Sequence, residues 1–140
     1  MTGRNQRLAQ AITVVYASLV LLYGAYELQF GLLIFFTDHH GTGFVGTVFI
    51  VPGFILFALG VALLLGARWA SFLPALVALF PSVVPFAWFR APDHLRTPSA
   101  TWMDIAGLAA PAVFLVLALV SFALRLKVKH LNDRNLSSGN

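Results

Sequence analysis

The sequence predicts an all-α, polytopic integral membrane protein: four transmembrane helices in a small bundle, N-in and C-in. Three observations carry this expectation. Hydrophobic residues make up 59% of the 140 and charged residues only 10%, against about one quarter charged in a soluble domain. Four long apolar stretches are separated by short polar breaks. Lysine and arginine gather at alternate ends of those stretches. A soluble domain of this length has too little interior to hide so much apolar surface. With no long polar linker, residues 1–130 read as one transmembrane domain and 131–140 as a polar tail.

The first apolar run extends from Leu8 to Phe36, giving a span over 9–36. It exceeds the roughly 20 residues that a crossing needs. Arg4 and Arg7 precede it as they would a signal peptide. The apolar stretch outruns an h-region, however, and no small-x-small site ends it, so it reads as a retained helix. The second span covers 44–66, the third 69–89 and the fourth 102–126. Trp69 and Trp88 bracket the third and Trp102 opens the fourth, as indole rings favour the headgroup level. Thr101 followed by Asp104 has the form of a capping box, a carboxylate near the free N–H groups of a helix start. The last ten residues, LNDRNLSSGN, read as a frayed end.

Charge sets the orientation. Arg4, Arg7, Arg68, Arg125, Lys127, Lys129 and Arg134 fall on one side, and Arg90 and Arg96 on the other. The richer side is the cytoplasm, so a multi-pass protein of the plasma (inner) membrane with both termini inside is expected. Net charge +4 and a pI near 10.1 point to nucleic acid in a soluble protein. Here the bases are topology signals, no nucleic-acid partner is expected, and the lipid bilayer is the first partner. The absence of cysteine excludes disulfides, thiolate metal sites and Cys-x-x-Cys redox chemistry.

Small residues recur every seven positions: Ala17, Gly24 and Gly31 in the first span, then Gly46, Gly53, Gly60 and Ala67 in the second. Heptad spacing keeps them on one seam, and small seams let helices approach closely in lipid. The first two helices are therefore expected to pack antiparallel. Pro74, Pro81 and Pro85 interrupt the third span and Pro111 the fourth. Pro81, Pro85 and Pro111 free the carbonyls of Val77, Pro81 and Gly107, which need other donors. Ser82 is a local candidate. Such breaks are either tolerated kinks or parts of a transport site.

The run YELQ places Glu27 and Gln29 in the first span. Tyr16, Tyr23 and Glu27 share a helical face, which brings the Tyr23 hydroxyl within reach of the carboxyl. An upright helix entering the bilayer near Ala11 puts Glu27 about 24 Å along, in the outer third. A strongly tilted helix puts it deeper. An intramembrane acid is a functional-site hypothesis by default. The structural alternative is a snorkelling or hydrogen-bonded residue at a helix interface.

Asp38, His39 and His40 fall in the first outer loop, and Asp93 and His94 in the second. Asp38 with the three histidines offers a set for zinc or copper, although DHHGTG is also an ordinary polar turn. No histidine lies inside a proposed span, which argues against an intramembrane bis-histidine haem. No phosphate-loop or nucleophile-elbow motif occurs. No cofactor is expected, and the soluble segments are too small for a catalytic domain, which argues against an enzyme.

A four-helix chain with an acid in its first helix resembles the small multidrug resistance exporters in architecture. Those proteins are shorter, carry the glutamate in an early first-helix motif that is absent here, and have a weaker charge bias. Taken together, the sequence favours an accessory or scaffold subunit that packs with other membrane subunits or with itself. The runner-up is a small proton- or cation-coupled transporter or channel using Glu27, with Tyr23 and Gln29 nearby. A third reading is an outward-facing metal or redox enzyme using His39, His40 and His94.

Overall fold

The computed structural model describes residues 2–37, 43–83 and 101–137, with side-chain surroundings for 3–36, 46–83 and 105–130. The described residues contain no strand. Helix α1 is Thr2–Thr37 and α2 is Gly43–Leu64. A 3-10 turn, Arg68–Ser71, leads into α3, Leu73–Val77, and α4 is Thr101–Ser137. After a single turn residue at Ala78, helical backbone resumes over 79–83.

Among the described residues, three segments are long and apolar enough to cross a membrane: Gly3–Phe36, Gly46–Leu64 and Ile105–His130. The stretch expected as a span over 69–89 is described only as far as Val83. Its described part is a shorter apolar helix, Leu73–Val83, about 16 Å long at the helical rise. Pro74 sits in the first turn of α3, where a missing N–H costs nothing. Pro81 removes the donor that would have met Val77, and the helix loosens at Ala78 between them. Pro85, Trp88 and the remainder of that expected span lie outside the described residues.

Two boundaries differ from expectation. Helix α1 starts at Thr2, and α4 runs on to Ser137 through the tail expected to fray. No glycine or proline falls between Arg4 and Tyr23, or between Ala112 and Ser138. Nothing therefore breaks either helix where it stops being apolar. Helix α2, in contrast, has a clear stop. Gly66 adopts φ +86°, and Gly66 N–H and Ala67 N–H donate to the carbonyls of Leu63 and Ala62. This is a Schellman closure, which favours glycine at the left-handed position.

Helices α1 and α2 pack antiparallel along their glycines. A Cβ built on Gly24 would lie 2.6 Å from Phe57 N, and one on Gly53 would lie 2.7 Å from Leu28 N. Gly31 meets Ile50 N at 2.8 Å, and Gly60 meets Leu21 Cα at 3.0 Å. Ala17 is fully buried. Only hydrogen fits at such distances, so the backbones themselves are in contact. Helix α4 runs antiparallel to α1, with Phe114 on Tyr23 and Arg125 on Thr13. The third segment runs antiparallel to α4, from Phe72 against Phe122 to Ser82 against Gly107. Consequently the start of α1, the end of α2, the start of α3 and the end of α4 share one end of the bundle. The core between them combines Tyr16, Val20, Leu56, Leu63 and Phe114 with small alanines at 70, 78 and 118.

Candidate functional site

One face of α1 carries Thr13, Tyr16, Val20, Tyr23 and Glu27, spaced three and four apart so that they stack along the helix. The face turns inward. Tyr16 is 1% exposed and Glu27 only 3%. Gly53 of α2 makes the room: a Cβ there would come 3.1 Å from Glu27 Cβ. The ring of Tyr23 packs edge-on against Phe114 of α4 at 5.6 Å.

Glu27 Oε2 makes no hydrogen bond of full geometry, and neither does the Tyr23 hydroxyl one turn before it, although the two side chains lie close enough to interact. Helix α2 contains no titratable residue, and neither does the 105–124 stretch of α4. No cation is therefore supplied by the facing helices. A buried carboxylate whose polar neighbour is a single tyrosine hydroxyl is costly when ionised. A proton, a cation or water is needed to complete it.

Depth follows from the glycine register. Gly53 stands at the middle of α2, Gly43–Leu64, and Glu27 lies against it. Side chains on a helix lean toward its N-terminus, so the carboxyl is directed back toward Tyr23 and away from the Thr37 end. An upright placement counted from Ala11 puts Glu27 in the outer third of a bilayer, but that estimate ignores α2. Gly60 faces Leu21, so about 15 residues of α1 overhang the end of α2, by continuing the helical register. Sliding α1 in this way brings Glu27 level with the centre of its neighbour.

Gln29 is not part of this site. It is exposed, being about 200° around the helix from Glu27. Tyr26 is likewise on the outer side and stacks on Phe30. Pro81 is fully buried, and Pro111 lies inside α4. Ser82 Oγ donates to the Ala78 carbonyl at 2.6 Å and stands 2.9 Å from the carbonyl of Gly107. The second oxygen is the one that Pro111 leaves without a helical donor. Asp38, His39, His40 and His94 lie outside the described residues. Among the described residues, no group of three His, Cys, Asp or Glu is placed to hold a metal.

Several polar residues of the interior escape a reading of the sequence alone. Tyr16 donates its hydroxyl to the Ser71 carbonyl at 2.7 Å. Arg125 Nη2 donates to Thr13 Oγ1 at 3.1 Å, and Thr13 in turn donates to Ala9 O. Ser121 is 2% exposed, and its hydroxyl has no partner. Its signal is a lone polar residue on the inward face that includes Phe114, Ala118 and Arg125. An apolar groove opens elsewhere, between α3 and α4, lined by Phe72, Leu79, Ser82, Pro111 and Leu115. It does not include Glu27.

No family model, curated protein or solved structure matches the chain.

Proposed function

We propose that the chain is a small transporter or channel-like membrane protein in which Glu27 is the proton- or cation-sensitive group. The observation that carries this is the carboxyl itself: 3% exposed, with an oxygen that makes no hydrogen bond of full geometry, against the middle of α2. A purely structural acid at a helix interface is expected to spend its oxygens on donors. Intramembrane acids as a class mark ion and proton pathways. Gly53 and Pro52 sit together on α2 at this level, and Pro52 leaves the Val48 carbonyl without its usual helical donor. The bases on the terminus-bearing end, Arg4, Arg7, Arg68, Lys127 and Lys129, support a multi-pass orientation in the plasma (inner) membrane with both termini cytoplasmic.

Glu27 is tested with a lipophilic carbodiimide, which forms adducts with protonated carboxyl groups in a membrane. Mass spectrometry of the reconstituted protein is expected to find the adduct at Glu27, with a rate that falls as pH rises. A Glu27 that stays unmodified at every pH contradicts the proposal.

The second reading is an accessory subunit in a larger complex. Exposed Phe54, Phe57, Val116 and Leu119 offer surface to a neighbouring protein as well as to lipid. The glycine seam does not add to this reading, because Gly24, Gly31, Gly46, Gly53 and Gly60 are all taken up by packing within the chain. An activity retained by the chain alone separates the two.

A further inference from the structure

The reading of Glu27 as an exchanging group leaves open where its proton or cation comes from. The three buried polar atoms without a hydrogen bond of full geometry among the described residues are Tyr23 Oη, Glu27 Oε2 and Ser121 Oγ. Tyr23 and Ser121 lie on the faces that α1 and α4 turn toward each other, and Glu27 follows one turn beyond Tyr23, against α2. Below Glu27, the inward face of α1 carries Tyr23, Tyr16 and Thr13. Across from it, α4 presents Phe114, Ala118, Ser121 and Arg125, again spaced four, three and four. Tyr16 uses its proton on Ser71 O, but its lone pairs remain able to accept. Arg125 on Thr13 closes the row at the end that carries both termini. From Thr13 to Glu27 the row climbs about 21 Å at the helical rise. Buried polar atoms without protein partners are where internal water binds.

In the other direction the α1–α2 contact is tightly packed. One turn beyond Glu27, Phe30 meets Phe49 edge-on at 5.1 Å, and Phe49 is 6% exposed. Gly31 and Gly46 then bring the two backbones together, with no space for even a methyl group. On the polar side the packing is aromatic and close, with the Phe114 ring between those of Tyr16 and Tyr23, at 6.2 and 5.6 Å, beside buried Val20 and Leu56, so water must enter between these rings.

We propose that Glu27 exchanges with one side of the membrane only, the side bearing both termini, through the α1–α4 seam lined by Tyr23, Tyr16, Ser121 and Thr13. This rests on Glu27 being the exchanging group, but its test does not measure transport. The chain has no cysteine, so single thiols report without background. Ser121→Cys and Glu27→Cys are reconstituted in vesicles of known orientation. Silver ion, small enough to follow water, is then added to one side, and the thiols left free are counted after unfolding. Both positions are expected to be blocked at least about tenfold faster from the terminus-bearing side, since hydrocarbon excludes the ion. Position 121 is expected to react before position 27. Equal rates from both sides, faster reaction from the opposite side, or a position 27 that never reacts would overturn the one-sided route. A two-sided result alongside a carbodiimide-reactive Glu27 would leave the exchanging group standing and remove only the route.

Discussion

Ser82 shows how a single hydroxyl can connect two broken helices. Pro111 deprives Gly107 of its helical donor, and Ser82, 25 residues earlier in the chain, stands 2.9 Å from that carbonyl. Its one proton is shared with Ala78 O at 2.6 Å. Ser82→Ala leaves the Gly107 oxygen without this donor. It is expected to cost about 1–3 kcal/mol, the range for an unsatisfied buried group, measured by reversible unfolding in mixed micelles. Unchanged stability would mean that the oxygen finds another donor. The sequence reveals half of this arrangement. Proline spacing identifies the freed carbonyl, and Ser82 stands out as a nearby donor. That it reaches across to α4 depends on how the helices pack. The same holds for Glu27: its presence is plain in YELQ, but its burial and its depth depend on α2. Gln29, two residues on, has the same local signal and faces outward.

At the scale of elements, the α1–α2 pair is built on backbone contact. The heptad of small residues is visible in the sequence because seven residues return to nearly the same side of a helix. The register also fixes the level of Glu27. Gly53→Ala places a methyl group 2.7 Å from Leu28 N, so the helices must separate or slide. A loss of about 1–3 kcal/mol is expected from overpacking, again by unfolding in micelles. Gly3→Ala is the control. Nothing lies within 4 Å of its Cβ, and helix propensity alone predicts a gain of up to about 1 kcal/mol. Equal effects at the two positions would contradict a packing role for Gly53. The third segment was the least legible. Its apolar residues read as a full crossing, of which the helix Leu73–Val83 is the described part, and periodicity does not register the loosening at Ala78 between Pro74 and Pro81. The ends of α1 and α4 misled in the opposite sense. Loss of hydrophobicity marks a membrane boundary, whereas the end of a helix is marked by breakers and caps such as Gly66.

Across the whole molecule, polarity is arranged asymmetrically. The inward face of α1 is interrupted by hydroxyls from Thr13 to Tyr23, then becomes aromatic and glycine-packed beyond Glu27. The end nearest Thr13 is also the basic end, with Arg4, Arg7, Arg68 and Lys127 exposed. Outside, Phe54, Val51, Leu115 and Leu119 are exposed. In water such a surface promotes aggregation, whereas in a bilayer it is the ordinary lipid-facing side. The helices are held together by close packing and a few interior hydrogen bonds, as expected where burial from lipid gives no net driving force.

The most direct measurement is flux through the purified chain alone. Proton and monovalent-cation movement is followed in vesicles containing either the wild-type protein or Glu27→Gln, with folding checked by helix content and unfolding. The expected result is flux above that of empty vesicles for the wild type, abolished in a folded Glu27→Gln variant. Flux that survives the substitution would remove Glu27 from the mechanism, and no flux from the folded wild type would favour the accessory subunit.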